Sequence, residues 1–204
     1  SLLFSVPFVA AFLTVPDVIM RAMFARGAFS KADAAAAGAT LAAYAIGLVP
    51  FVTIRSAVAT FYARKDTATP VKAALTGVAV NVALKVVLMG SLAQIGLALA
   101  TAFGAWVNLL LVLFFAVRAG FLELDRNWII SLAKFAAAGI VLAVALWVTA
   151  WFARLYFAQM HSFRDEMSLL LLIAAGAFVY GVSILLLFGR GWLFSLVRDR
   201  QYKS

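Results

Sequence analysis

Three polar residues stand inside stretches that are otherwise apolar: Arg55, Asn81 and Lys85. Their types point to recognition of an anion, not to bond making. A guanidinium holds a phosphate by two parallel hydrogen bonds, an ammonium supplies a flexible point charge, and a carboxamide both donates and accepts. Arg55 lies eight residues before Ala63, where its apolar run ends, about 12 Å deep along a helix. A charge at that depth is costly unless it faces water, a partner or an anion. Contact with a phosphate in a polar cavity is therefore one reading, and a side chain snorkelling to the headgroups is the other. Asn81 and Lys85 are four apart and share a helix face. That face either lines a hydrated cavity or divides, with an interhelical hydrogen bond for Asn81 and an outward snorkel for Lys85. Arg55, Asn81 and Lys85 are the candidate substrate-binding residues.

Other residues carry less chemistry. There is no nucleophile–base pair, glycine-rich phosphate loop or carboxylate pair, so no catalytic residue and no enzyme activity is expected. Cysteine is absent and the one histidine is His161, so neither a metal site nor a cofactor is expected. Gly96, Ala100 and Gly104 recur every fourth residue and lead to Asn108. This small-residue stripe lets a neighbouring helix approach closely, with Asn108 as interhelical glue. Lys134 is read as a snorkelling side chain, Asp66 as a solvated turn residue, and Tyr44, Tyr62 and Tyr180 as packing or belt residues.

The elements that must position these residues follow from composition. The chain is 66% hydrophobic and 12% charged, with a mean hydropathy of +1.07, far too apolar for a soluble domain. About 20 apolar residues cross a hydrocarbon core. On that measure the chain is an all-α polytopic membrane protein with six transmembrane helices. The first runs from Leu2 to Phe24, with kinks expected at Pro7 and Pro16. Ser30-Lys31-Ala32-Asp33 has the form of a capping box and opens a second helix that reaches Ala63, bent at Gly47 and Pro50. Thr69-Pro70, as N-cap and first-turn proline, opens a third helix to Met89, which Gly90-Ser91 breaks. The fourth spans Ile95 to Val117. The fifth spans Trp128 to Phe152, with Trp128 and Trp151 as interfacial anchors. The sixth spans Met167 to Phe188, and the tail beyond it, with Trp192 and Phe194 among Arg190, Arg198 and Arg200, suits the membrane surface.

The formal charge of +9 would suit nucleic acid, but most basic residues flank apolar runs, the pattern of contact with anionic membrane lipids and of topology control; no nucleic acid is expected. Arg64, Lys65, Lys72, Arg118, Arg126 and the basic tail fall on one side. Arg21, Arg26, Lys31, Arg154 and Arg164 fall on the other, offset by Asp17, Asp33, Asp165 and Glu166. The excess of basic residues places the Arg64 loop and the C-terminus in the cytoplasm. Ser1 runs directly into Leu2-Leu3-Phe4 without a charged leader, so the chain is expected to begin inside a larger membrane protein. The mixed stretch at the other end, up to Ser204, reads as a C-terminus.

Several segments resemble one family. They are Arg26-Gly27-Ala28-Phe29-Ser30 with Asp33, then Tyr44-Ala45-Ile46-Gly47-Leu48. Phe61-Tyr62-Ala63-Arg64-Lys65-Asp66 follows, with Thr69-Pro70-Val71-Lys72, and then Gly96-Leu97-Ala98-Leu99-Ala100-Thr101 with Trp106-Val107-Asn108. In order, they are similar to the MurJ (MviN) lipid II flippases of the multidrug/oligosaccharidyl-lipid/polysaccharide exporter superfamily. The resemblance covers roughly Ser1 to Gly120, and the last two helices match by position and hydropathy. It implies helices nine to fourteen of a fourteen-helix bacterial inner-membrane protein. Residues 1–120 would supply four helices of the C-terminal lobe, and residues 121–204 two further helices and a basic cytoplasmic tail.

In such a protein two lobes alternate around a cationic cavity that takes the head of a polyprenyl-pyrophosphate-linked peptidoglycan precursor, and the last two helices form a groove for its tail. The partners implied are that lipid, the surrounding membrane lipids and a missing N-terminal lobe, which carries the arginines most closely tied to the head group. Lys85 departs from the pattern, standing where the resemblance implies a polar uncharged residue, often Asn. The alternatives are another exporter of the superfamily, for drugs or polysaccharide-linked lipids, and a non-transporting membrane scaffold. No acidic residue sits mid-span, which counts against a coupled cation site in this chain.

Overall fold

The computed structural model describes residues 2–25, 29–122, 126–157 and 164–201, with backbone alone at 127 and 189–201. Among the described residues the chain is helical and has no strand. The helices are α1 (Leu2–Thr14), α2 (Pro16–Phe24), α3 (Lys31–Tyr62), α4 (Ala68–Arg118), α5 (Arg126–Tyr156) and α6 (Arg164–Gln201).

The first expected span is two helices, not one kinked helix. α1 and α2 meet at 87°, across Val15 with φ −132° and ψ 40°. The cause is Pro16, whose ring drives the preceding residue out of the helical region. Pro7, by contrast, lies inside α1 without breaking it. A proline leaves the carbonyl four residues back without its helical donor, here that of Leu3. The Tyr180 hydroxyl of α6 donates to this oxygen at 2.8 Å.

α3 starts as expected. The Asp33 N–H donates to Ser30 Oγ at 3.1 Å and the Ser30 N–H donates to Asp33 Oδ2 at 2.9 Å, a reciprocal capping box. The helix runs unbroken through Pro50. Pro50 frees the Ile46 carbonyl, and the Trp106 indole N–H donates to it at 2.9 Å. Both helix-interior prolines are thus met by an aromatic donor from a distant part of the chain.

The C-terminus of α3 is a Schellman turn. Asp66 N–H donates to Phe61 O and Lys65 N–H to Tyr62 O, with Lys65 in the left-handed region at φ 61°. The next helix begins at Ala68, earlier than Pro70. Its N-cap position is Thr67, not Thr69, and makes no side-chain cap bond; the capping side chain is that of Asp66, whose Oδ1 accepts the Thr69 N–H at 3.1 Å. Pro70 sits in the first turn, where a missing N–H costs nothing.

α4 contains the third and fourth expected spans. Ala93, at φ 46° and ψ −124°, interrupts it, and the two arms, 68–92 and 94–118, fold back on each other. Gly77 lies against Asn108, Gly104 against Asn81 and Gly96 against Leu88, which sets an antiparallel register. Each arm is about 37 Å long at about 1.5 Å per residue. The reversal falls beyond Gly90-Ser91, and Gly90 faces open space. A second Schellman turn ends the hairpin, with Gly120 at φ 67° and Phe121 N–H donating to Ala116 O at 2.8 Å. Phe121 then packs on Phe61 at 5.3 Å, beneath the Arg64 guanidinium at 4.1 Å.

Four helices, α3 to α6, are long and apolar enough to cross a membrane, and the broken α1–α2 pair makes a fifth candidate span. The reversal at Ala93 divides α4 into two crossing-length arms, which gives five passes, and six where the broken α1–α2 pair is taken as one. Two cores hold them. Phe61, Ala73, Val112 and Ala116 join α3 to the α4 hairpin. Ala10, Val15 and Val18 meet Leu142, Leu146, Ala150 and Leu172, seating the broken helix on α5 and α6. α6 continues as one helix to Gln201, so the backbone of the tail extends the last span instead of breaking from it. Lys134 Nζ lies 5.2 Å from the Phe188 ring centroid, a cation–π contact in place of a bare snorkel. His161, Arg26 and the tail side chains beyond Phe188 lie outside the described side chains.

Candidate functional site

The α4 seam is built from the small-residue stripe. Gly96, Ala100 and Gly104 are buried, and a Cβ on Gly104 would stand 2.7 Å from Asn81 Cβ and 2.8 Å from the Gly77 carbonyl oxygen. Glycine there is what allows the arms to touch. The partner of the stripe is therefore the first arm of the same hairpin. Ala102, on another face of the second arm, meets Gly47 of α3.

Asn81 and Asn108 occupy matching places in this seam, each against the glycine of the opposite arm. Both Oδ1 atoms are buried with no partner among the described residues. A buried acceptor left open costs about 1–3 kcal/mol, so the seam holds two carboxamide oxygens available to a donor. Lys85, one turn beyond Asn81, is half-buried, and the register carries it to the level of Ala100. Arg55 is exposed on α3, while its neighbours Ile54, Ala57 and Val58 turn into the Phe61 core. No ion pair or hydrogen bond engages Arg55 or Lys85 among the described residues.

The three candidates do not converge at one depth. Gly47 beside Ala102 and Phe61 beside Ala116 fix α3 against the second arm. On that register Arg55 stands about 9 Å along the helix axis from Asn81 and about 15 Å from Lys85. They form a series of polar positions down one three-helix layer, with Asn81 committed to the seam and the two cations left without counter-charge. Sequence reasoning missed the roles of Trp106 and Tyr180 as donors. It also missed a cluster of cations at the ends of four helices, whose members entered only the charge count.

The family model described as "Lipid II flippase MurJ" matches residues 1–168. A "Probable lipid II flippase MurJ" of Rhizobium meliloti strain 1021 is 37% identical over 154 residues, 75% of this chain and 29% of that protein. A protein of the same description from Haemophilus influenzae is 28% identical over 190 residues, 91% of this chain and 36% of the relative. The "Lipid II flippase MurJ" of Thermosipho africanus is 31% identical over 137 residues, 65% of this chain and 28% of the relative. The chain thus spans about a third or less of the length of the relatives it matches.

Proposed function

The chain belongs to the MurJ lipid II flippase family, and from that premise we propose that it is the C-terminal portion of a flippase moving a polyprenyl-pyrophosphate-linked peptidoglycan precursor across the bacterial cytoplasmic membrane. The family is one of transporters, and this is a multi-pass membrane protein. In the proposed arrangement residues 1–120 supply helices of one lobe, and residues 121–204 add two helices and a cytoplasmic tail. An N-terminal lobe of the same protein completes the cavity, and the two lobes alternate around it. An amphiphile with a charged head and a long apolar tail needs a hydrated basic path for the head while the tail stays in lipid, and two lobes rocking about such a path is a general transporter design.

The observation that carries this reading is Arg55: an exposed guanidinium with no partner among the described residues, on an apolar helix, about 12 Å from that helix's end, in a chain of this family. Arg55 takes the role of phosphate contact. Lys85 supports it as a point charge at another depth, and Asn81, whose carboxamide oxygen is buried in the seam, holds the arm that carries Lys85. Complementation of flippase-depleted cells, at matched membrane expression, tests the assignment. Arg55→Ala is expected to weaken growth and lipid translocation about ten-fold or more, with Arg55→Lys rescuing in part because an ammonium lacks the two-pronged geometry. Lys85→Asn is expected to be tolerated. Full growth with Arg55→Ala alongside failure of Lys85→Asn would reverse the ranking of the two sites.

A further inference from the structure

Four helix ends meet around a cavity of about 240 Å³, and each supplies one cation: Arg21 from α2, Lys31 from α3, Arg154 from α5 and Arg164 from α6. One carboxylate lines the same cavity, that of Asp165, and it is engaged by Arg21 at 3.6 Å. Ser168, also in the lining, turns its hydroxyl to the Arg164 carbonyl at 2.7 Å. The floor is apolar: Val18, Ala150, Ala153 and Leu172 are all buried.

The placement of these charges is not what helix stability selects. Cations near a helix C-terminus, such as Arg21 and Arg154, are favoured by the helix dipole, but Lys31 and Arg164 are the first residues of α3 and α6, where the dipole disfavours them. Of the first-turn acids, Asp33 is taken up by the Ser30 capping box, Asp165 pairs with Arg21 within the lining, and Glu166 lies outside the lining. Lys31, Arg154 and Arg164 therefore face one small cavity with no carboxylate left in its lining to balance them. Lys31, Arg154 and Arg164 are exposed, so water screens their mutual repulsion, and an anion entering the cavity would meet all three at once. Arginines carry several donors in a fixed fork suited to phosphate oxygens, and the one contact of the Arg164 guanidinium among the described residues, a 3.5 Å approach to the Arg154 carbonyl, leaves most of them free.

We propose that this cavity binds a phosphate group, and that its occupant is the phosphodiester headgroup of an anionic membrane phospholipid. The cationic rim holds the phosphate and the apolar floor receives the first carbons of the glycerol and acyl chains. The position fits that ligand, since the cavity lies at the ends of membrane-crossing helices, on the opposite side of the bundle from the Arg64 loop. It is separate from Arg55, Asn81 and Lys85, so bound phospholipid would tie α2 and α3 to the α5–α6 pair without entering the path proposed for the transported lipid.

The test uses the intact protein in detergent and native mass spectrometry. Phosphatidylglycerol and phosphatidylcholine of the same acyl chains are added in turn, with inorganic phosphate as a separate arm read by thermal melting. The wild type is expected to retain phosphatidylglycerol over phosphatidylcholine. The Arg154→Gln, Arg164→Gln double variant is expected to lose that preference about ten-fold, and the matching double lysine variant to keep much of it. Lys31→Gln, at an exposed position, reads the same dependence if the double variant folds poorly. Protection by inorganic phosphate that the glutamine variants lose, without any lipid preference, keeps the phosphate site and reassigns its source to the free ion. Equal lipid retention by wild type and variants, with no phosphate effect that depends on these residues, overturns the site.

Discussion

Pro50 and Pro7 show how single residues impose obligations far away in the chain. Each removes one helical hydrogen bond and leaves a carbonyl open. The open carbonyls, Ile46 and Leu3, are met by Trp106 and Tyr180, 60 and 177 positions away from them. The prolines are plain in the sequence and announce bends, but nothing local names the donor, because it comes from tertiary packing. A double-mutant cycle measures the pairing. Trp106→Phe is expected to destabilise the protein by about 1–2 kcal/mol in mixed-micelle unfolding, and most of that cost should vanish in a Pro50→Ala background, where the backbone N–H returns. Equal cost in both backgrounds would mean that Trp106 acts through its bulk. Asp66 gives a second residue-scale expectation. The Thr69 hydroxyl and then the Thr69 N–H hold its carboxyl below the ordinary value of 3.8. A depressed folded pKa adds stability above the unfolded value and loses it as pH falls through the folded one. Melting temperature should therefore carry an Asp66 component that is constant from neutral pH down to about 5 and declines below about 4. Asp66→Asn, which keeps a capping side chain, should remove that component.

For the α4 hairpin, the small-residue stripe could be read directly from spacing, and the structure supplies its partner. The point of reversal was less legible. Gly90-Ser91 carries the composition of a break, yet the chain turns at Ala93, because the depth at which Gly77, Gly96 and Gly104 interlock sets where the two arms must part. Register is a property of both arms together, and a local glycine reports only that bending is permitted. The same argument makes Gly104 the residue the hairpin tolerates least. A side chain there meets Asn81 Cβ and the Gly77 carbonyl at under 3 Å, and Gly77 is backbone that cannot yield without separating the arms. Gly104→Leu is expected to cost at least about 2 kcal/mol and to lower folded yield in the intact protein. Gly90→Leu, in open space, should fold at close to wild-type yield. Comparable yields for the two variants would reject the seam.

Across the whole molecule, the number of passes was legible because apolar length is a composition property, and the orientation rests on where basic residues collect. Association of the halves was not legible. It depends on a helix broken at Val15 whose two pieces pack against α5 and α6, and on cations that only the fold assembles from positions 21, 31, 154 and 164. Hairpin and orientation make one joint prediction for topology. If α4 reverses at Ala93, Thr67 and Ala119 lie on one side of the membrane and Ser91 on the other. In the proposed orientation, which rests on the excess of Arg and Lys beside Thr67 and Ala119, that pair is cytoplasmic. This chain contains no cysteine, and Thr67, Ser91 and Ala119 are exposed, so single cysteines can report on each. In intact cells a membrane-impermeant maleimide is expected to label Ser91→Cys, and to reach Thr67→Cys and Ala119→Cys only after the membrane is opened. The opposite pattern would invert the orientation and keep the hairpin. Labelling of Thr67→Cys and Ala119→Cys from different sides would mean that α4 crosses once, and the six-pass fold would fall with it.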